Sequence, residues 1–370
     1  MKHAGYSNRS YLQTMTRQFL VPALFVALGI STAVAQIFSS SSAWNTPISK
    51  KASYSTIANA SGILMGLDTW YSQNQWTIPS YTATQSDSLH PLLYNADAWS
   101  KVYTNEWLRF GNSAAVEQTI LASSSNSFPF PGNVYSSTST TEWVLPSSYN
   151  KTVNPSNGDA FQFYFNSTMT PATGSDGHMA VAQPEGSVVE TYSTIVLSTG
   201  QIVALSYSVT SPSQSSLGDG WQNGQTASML PMYAGLFCDN EIDTGIKHAM
   251  AITVPAKLLT PKIDYPAFAF DRGAMTSNPP YSGNIPMGGR LAIPRSVSII
   301  SLGLLTQEGK AIAEAAISYG FIVVDQGGNG LTIRVSPTCS SQKSLLHTWN
   351  WDLQNDLNTI AGQLRYVKPK

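Results

Sequence analysis

Short apolar and aromatic runs, each cut off by Pro, Gly, Asn or Ser, set the limits on what this chain can fold into. Trp76-Thr77-Ile78-Pro79, Glu106-Trp107-Leu108-Arg109-Phe110, Glu142-Trp143-Val144-Leu145-Pro146 and Phe161-Gln162-Phe163-Tyr164-Phe165 are examples. Runs this short, with turn signals between them, read as the strands of a sandwich or barrel. The expected fold is mainly β: an antiparallel β-sandwich, jelly-roll-like, with two or three peripheral helices. One helix is expected over residues 54–67, with Ile57, Ile63, Leu64 and Leu67 on its apolar side. A second is expected over 306–319, capped by Thr306 and ended by Gly320, and a third over 352–364. There is no internal repeat and no linker long enough to divide the chain, so one domain is expected over residues 36–370.

The N-terminus carries a different signal. Lys2, Arg9 and Arg17 precede an apolar run over residues 19–35, which ends in Ala33-Val34-Ala35 before Gln36. A basic start, an apolar run and an A-x-A site read as a secretory signal peptide over residues 1–35. The competing reading is a membrane anchor, but the run is short and is broken by Pro22 and Gly29. The expectation is therefore a secreted, extracellular protein with no membrane attachment after cleavage. In that oxidising setting Cys238 and Cys339 either form a disulfide or remain two buried thiols.

Charge is scarce. Only 11% of the 370 residues are charged and the formal net charge is −1, which leaves no electrostatic footprint for nucleic acid or an anionic membrane. Against that background the stretch 174–250 stands out. Met179-Ala180-Val181-Ala182-Gln183 and Val188-Val189-Glu190-Thr191-Tyr192-Ser193 flank a turn at Pro184-Glu185-Gly186-Ser187 and read as a hairpin. Strand alternation then puts His178, Glu190 and Tyr192 on one face. Such a group can do acid/base work, or it can be the polar outer face of an edge hairpin.

Further along, Asp239, Glu241 and Asp243 alternate. In a strand they would share a face and push at least one pKa up, as a general acid requires. In a short helix or loop, Glu241 would be a cap or ion-pair residue. His248 opens an apolar run and serves as a base or as a hydrogen-bonded core residue. Arg290 could bind a substrate carboxylate or pair with Glu241 or Asp325. Trp221, in Gly218-Asp219-Gly220-Trp221, offers a plate for stacking on a sugar, and Asp176 is a further binding candidate. No cofactor is expected, apart from a loose structural Ca2+ site that Asp176 and Asp239 could serve. No G-x-S-x-G elbow, H-E-x-x-H motif, Walker loop or dinucleotide fingerprint occurs.

Asp176-Gly177-His178, Glu190, Gly220-Trp221, the run from Leu230-Pro231 to Leu236, then Glu241, Gly245 and His248-Ala249 form a series. Ile285-Pro286-Met287-Gly288, Arg290-Leu291 and Tyr319-Gly320 extend it, with Trp44-Asn45-Thr46 at the front. The series resembles a pattern in a broad set of uncharacterised secreted bacterial proteins. That resemblance implies secretion and a single full-length domain, and carries no activity with it. Glu241-Ile242-Asp243 also resembles the E-x-D-x-E strand of laminarinase-type sandwich hydrolases, with Gly245 where the second glutamate would stand.

The function expected from these features is a secreted carbohydrate-active enzyme cleaving an extracellular polysaccharide. A lyase would use Arg290 against a uronate carboxylate, His178 or His248 as base and Tyr192 as acid. A hydrolase would pair Glu190 with Glu241. The rival is a non-catalytic carbohydrate-binding or surface protein. Convergence of His178, Glu190, Glu241, His248 and Arg290 in one cleft would favour an enzyme; scatter would favour binding or structure.

Overall fold

A computed structural model of the chain describes residues 38–70, 74–95, 126–127, 161–174, 176–198, 200–204, 206–210, 224–271, 273–275, 279–338 and 344–369. Residues 1–35, expected to be a signal peptide, the runs at 106–110 and 142–146, Trp221 and Cys339 lie outside them. Strand outweighs helix among the described residues, the strands form several sheets, and none of the sheets closes. Among the described residues there are three α-helices: α1 (Asn240–Thr244), α2 (Gln307–Ser318) and α3 (Trp351–Gln363).

The largest sheet has seven strands. Within it, Met250–Pro255 is flanked by Phe321–Gly327 in parallel and by Leu331–Ile333 antiparallel. Met250–Pro255 is buried along its whole length, as a run without polar alternation must be when both faces are covered. On one face, Ile252, Val254, Phe321 and Val323 pack against Ile312, Ala315 and Ala316 of α2 and Leu353, Leu357 and Ile360 of α3. On the other, Ala249, Ala251, Ile322 and Val324 meet Trp44, Tyr233 and Leu236, together with Ala180 and Val188 of a four-stranded sheet. That second sheet turns Met179, Val181 and Val189 the opposite way, onto Phe163, Phe165 and Ile202 of a five-stranded sheet. Apolar layers thus alternate with sheets. Five of the strand pairings are parallel, so the sheets are mixed rather than purely antiparallel.

The two later helices form where their sequence signals lie. The Thr306 side chain accepts from the Gly309 N–H to start α2, and Gly320, at φ +76°, follows its end. Asn350 caps α3 by accepting from the N–H groups of Asp352 and Leu353. The helix expected over 54–67 does not form. Asn59 and Gly62 take positive φ and break it. Tyr54–Ser55 pairs instead with Arg365–Val367, and Met65–Leu67 with Leu331–Ile333. Both partners lie more than two hundred residues away in sequence, and a helical pattern read locally cannot register them.

Candidate functional site

The hairpin takes the expected register. Met179 lies across from Thr191, Ala180 from Glu190 and Ala182 from Val188. His178 and Tyr192 continue that pairing, and their ring centroids are 5.5 Å apart. Glu190 shares their face, but it points into the protein. It is fully buried, and its carboxylate accepts from the N–H groups of Gln225 (2.9 Å) and Met232 (3.0 Å). Burial pushes it up to about 8, against the pull of those two N–H groups. Glu190 therefore fastens the 225–232 segment to the sheet.

Glu241 is also structural in its surroundings. Residues 240–244 form α1, so Asp239, Glu241 and Asp243 do not share a strand face. One Glu241 oxygen accepts from the Cys238 N–H at 3.0 Å, and the other meets Nε2 of His248 at 3.1 Å. Nδ1 of His248 lies 2.9 Å from the Ala249 carbonyl. Each ring nitrogen of His248 therefore faces an oxygen, one from Glu241 and one from the Ala249 carbonyl. Both side chains are buried, which makes them a satisfied internal pair.

Arg290 has neither of the expected carboxylate partners. Its guanidinium donates to the carbonyls of Ala43, Thr46 and Tyr319, and so ties the 43–46 segment to the end of α2. Burial lowers it to about 10. Cys238 is disulfide-bonded, which decides against the reading of two free thiols. Asp239 stands at the N-terminal end of α1. Among the described residues no group of three His, Cys, Asp or Glu is placed to hold a metal ion. Glu241 and His248 thus pair with each other, while Glu190 and Arg290 are engaged in other contacts of their own.

One sequence-predicted site residue, Asp176, lies elsewhere. It lines a cavity of about 400 Å³ together with Asp68, Trp76, Thr253, Thr332 and Arg334, and the Gln326-Gly327-Gly328 segment closes one side. None of the other sequence candidates among the described residues lines this cavity. Sheet register explains its floor. Thr253 is opposite Asp325 on one side and Thr332 on the other, and Thr332 is opposite Gly66. Partners in register share a face. Alternation then carries Arg334 and Asp68, two residues past Thr332 and Gly66, to the same side.

Asp325 reaches that face only because of a β-bulge. The register between Met250–Pro255 and Phe321–Gly327 shifts between Ile252 and Thr253, which leaves Val324 unpaired. Without the shift Asp325 would lie beside Val254 and face the helices. A bulge that re-aims one side chain is a recurrent device beside functional sites. The Asp176 side of the cavity depends on a close backbone approach. Gly174 N–H donates to the Gln75 carbonyl at 2.9 Å, and a Cβ on Gly174 would lie 2.2 Å from that oxygen. Only glycine permits this contact, which sets the Asp176 loop against Trp76.

The charges here are crowded. Arg334 Nη2 is 3.4 Å from Oδ2 of Asp325, whose side chain remains 20% exposed. Asp325 is pushed up to about 8, first by burial and then by the Asp271 charge; Arg334 pulls the other way and Asp176 adds to the rise. Asp271, hydrogen-bonded to the Tyr281 hydroxyl, is itself raised by burial. Asp68 accepts from the Val335 N–H at 2.9 Å and is pushed up to about 7, again by burial first. Arg334 is 5% exposed and Asp68 2%. Among the described residues, Nε and Nη1 of Arg334 and Oδ2 of Asp68 have no hydrogen-bond partner. Buried polar atoms of this kind are costly unless something satisfies them.

Chemically, the cavity offers the carboxyls of Asp68 and Asp176, a guanidinium with donors to spare that also contacts the raised Asp325 beside it, and an indole wall. Sequence reading missed Asp68, Asp271 and Arg334 as site residues. The signal for two of them was a charge directly after an apolar strand, Leu67-Asp68 and Ile333-Arg334, on neighbouring strands. Comparison with protein-family models, curated proteins and solved structures found no match.

Proposed function

We propose that this protein is a secreted glycoside hydrolase acting on an extracellular polysaccharide, with Asp325 as general acid and Asp176 as the partner carboxylate. The observation that carries this reading is the raised Asp325 carboxyl 3.4 Å from Arg334, which lines a cavity together with Asp176 and Trp76. A protonated Asp325 can deliver its proton to the glycosidic oxygen as the bond breaks. Asp176, ionised, then activates water or attacks the anomeric carbon, and either course serves an oxocarbenium-like transition state. Arg334 orients Asp325 through their 3.4 Å contact. Trp76 supplies an apolar plate for a sugar face. Two sheets meeting across Trp44 and Tyr233 fit the sandwich scaffold expected from the sequence. Lyase chemistry is less well supported, because Arg290 spends its donors on backbone carbonyls.

The test is a panel of neutral and uronate polysaccharides, with both reducing-end and ultraviolet detection. Wild type should release reducing ends without an ultraviolet-absorbing product. Asp325→Asn and Asp176→Asn should each lower kcat by about 10²–10⁴ while the fold is kept. The rate should fall as pH rises through about 8, where Asp325 loses its proton. An unsaturated, ultraviolet-absorbing product would identify a lyase. Binding without cleavage by wild type would identify a non-catalytic module.

A further inference from the structure

The cavity does not end at its floor. A second cavity of about 370 Å³ lies beyond Gln326, Gly327 and Gly328, which line both. Its far walls include Lys257, Pro279 and Asn329. Each cavity is of the size that takes a small ligand. The second has no aspartate in its lining, so it offers contact rather than acid/base chemistry. Its walls combine proline rings with an exposed ammonium and an exposed carboxamide. That mixture suits a sugar ring, which has an apolar C–H face and hydroxyls around its edge.

The segment between the two cavities is low because it lacks side chains. Gly328 is exposed, and a Cβ built on it meets nothing within 4 Å. Its φ lies outside the left-handed region, so its backbone does not require glycine. Neither the turn nor internal packing asks for a bare residue here, and a side chain would stand in open space beside the two cavities that Gly328 lines.

We infer that the two cavities are consecutive subsites of one groove, and that the substrate is a glycan chain crossing the Gly327-Gly328 saddle and cut internally. The inference rests on the hydrolase reading. A chain held on both sides of the saddle has its reactive bond at the aspartates and its neighbouring sugars against Lys257 and Asn329. Binding energy from those remote sugars can then be used at the bond being broken.

The experiment uses the full mature chain and the polysaccharide best cleaved in the panel. Its oligosaccharides from disaccharide to hexasaccharide, and an aryl monoglycoside of the same sugar, complete the probe set. In wild type, kcat/KM should rise at least about tenfold from disaccharide to hexasaccharide, and viscosity should fall early in polymer digestion. The double variant Lys257→Ala/Asn329→Ala should flatten the rise and leave aryl-glycoside turnover within about twofold, since both residues line the second cavity and neither lines the aspartate cavity. Should the double variant fail to fold, Lys257→Ala alone should flatten part of the rise in its place. Cleavage without length dependence, or equal loss on long and short substrates in the double variant, overturns the groove and leaves the hydrolase standing. A wild-type protein that cleaves nothing overturns both.

Discussion

At the scale of single residues, the buried carboxyls determine how this protein responds to pH. Glu190 rises from 4.5 to about 8 on folding, and Asp68 from 3.8 to about 7. Between the unfolded and folded values the native state holds protons that the unfolded chain has released. Stability therefore falls as pH rises through that window, and the contribution is complete only below the unfolded values. The thermal midpoint should be higher at pH 5 than at pH 8. Glu190→Gln should remove part of that slope. It should also cost about 1–3 kcal/mol, because an amide NH₂ cannot accept from both Gln225 and Met232. Melting curves of both proteins at the two pH values test this; identical slopes would remove Glu190 from the account. That Glu190 shares a face with His178 was legible from strand alternation. Its burial was not, because its two partners come from a segment some 35–42 residues further along.

At the scale of elements, the lead-in and the bulge do most to place the site. Arg290 joins three elements by donating to Ala43, Thr46 and Tyr319. Losing such charged hydrogen bonds should cost about 1.5–3 kcal/mol. Arg290→Lys should recover little of that loss, since a single ammonium cannot reproduce a planar fork aimed at separate carbonyls. Limited proteolysis should cut near residues 43–46 faster in both variants, and an unchanged pattern would show that Arg290 does not hold the segment. The bulge at Val324 is the opposite kind of element, invisible in advance. Phe321-Ile322-Val323-Val324-Asp325 reads as a plain buried strand, yet one unpaired residue decides which face receives Asp325. Register belongs to the pair of strands, and the second strand begins seventy-one residues earlier, at Met250.

At the scale of the whole molecule, the sheets and helices of the described residues are held by apolar layers and by the disulfide at Cys238. The chain's two cysteines, Cys238 and Cys339, stand 101 positions apart. A disulfide restricts the unfolded chain, so reduction should lower stability by about 2–5 kcal/mol. Denaturant titration with and without reductant measures this; coincident curves would show that the bond contributes nothing. The apolar layers are what let several acidic groups sit together with one arginine, because water is kept from all but the cavity mouth.

Local information determined the mainly-β character, the hairpin register, the capped helix α2 and helix α3. Each rests on signals a few residues apart: alternation of period two, a turn residue, a cap, a glycine where backbones meet. Tertiary structure alone decided that Glu190, Glu241, His248 and Arg290 would serve the fold, and that Asp68, Asp271, Asp325 and Arg334 would gather at one place. A carboxylate's role depends on whether N–H groups, a cation or other carboxylates surround it once water is excluded. Those neighbours come from strands and loops far apart in the chain, and nothing local to an aspartate records which of them it will meet.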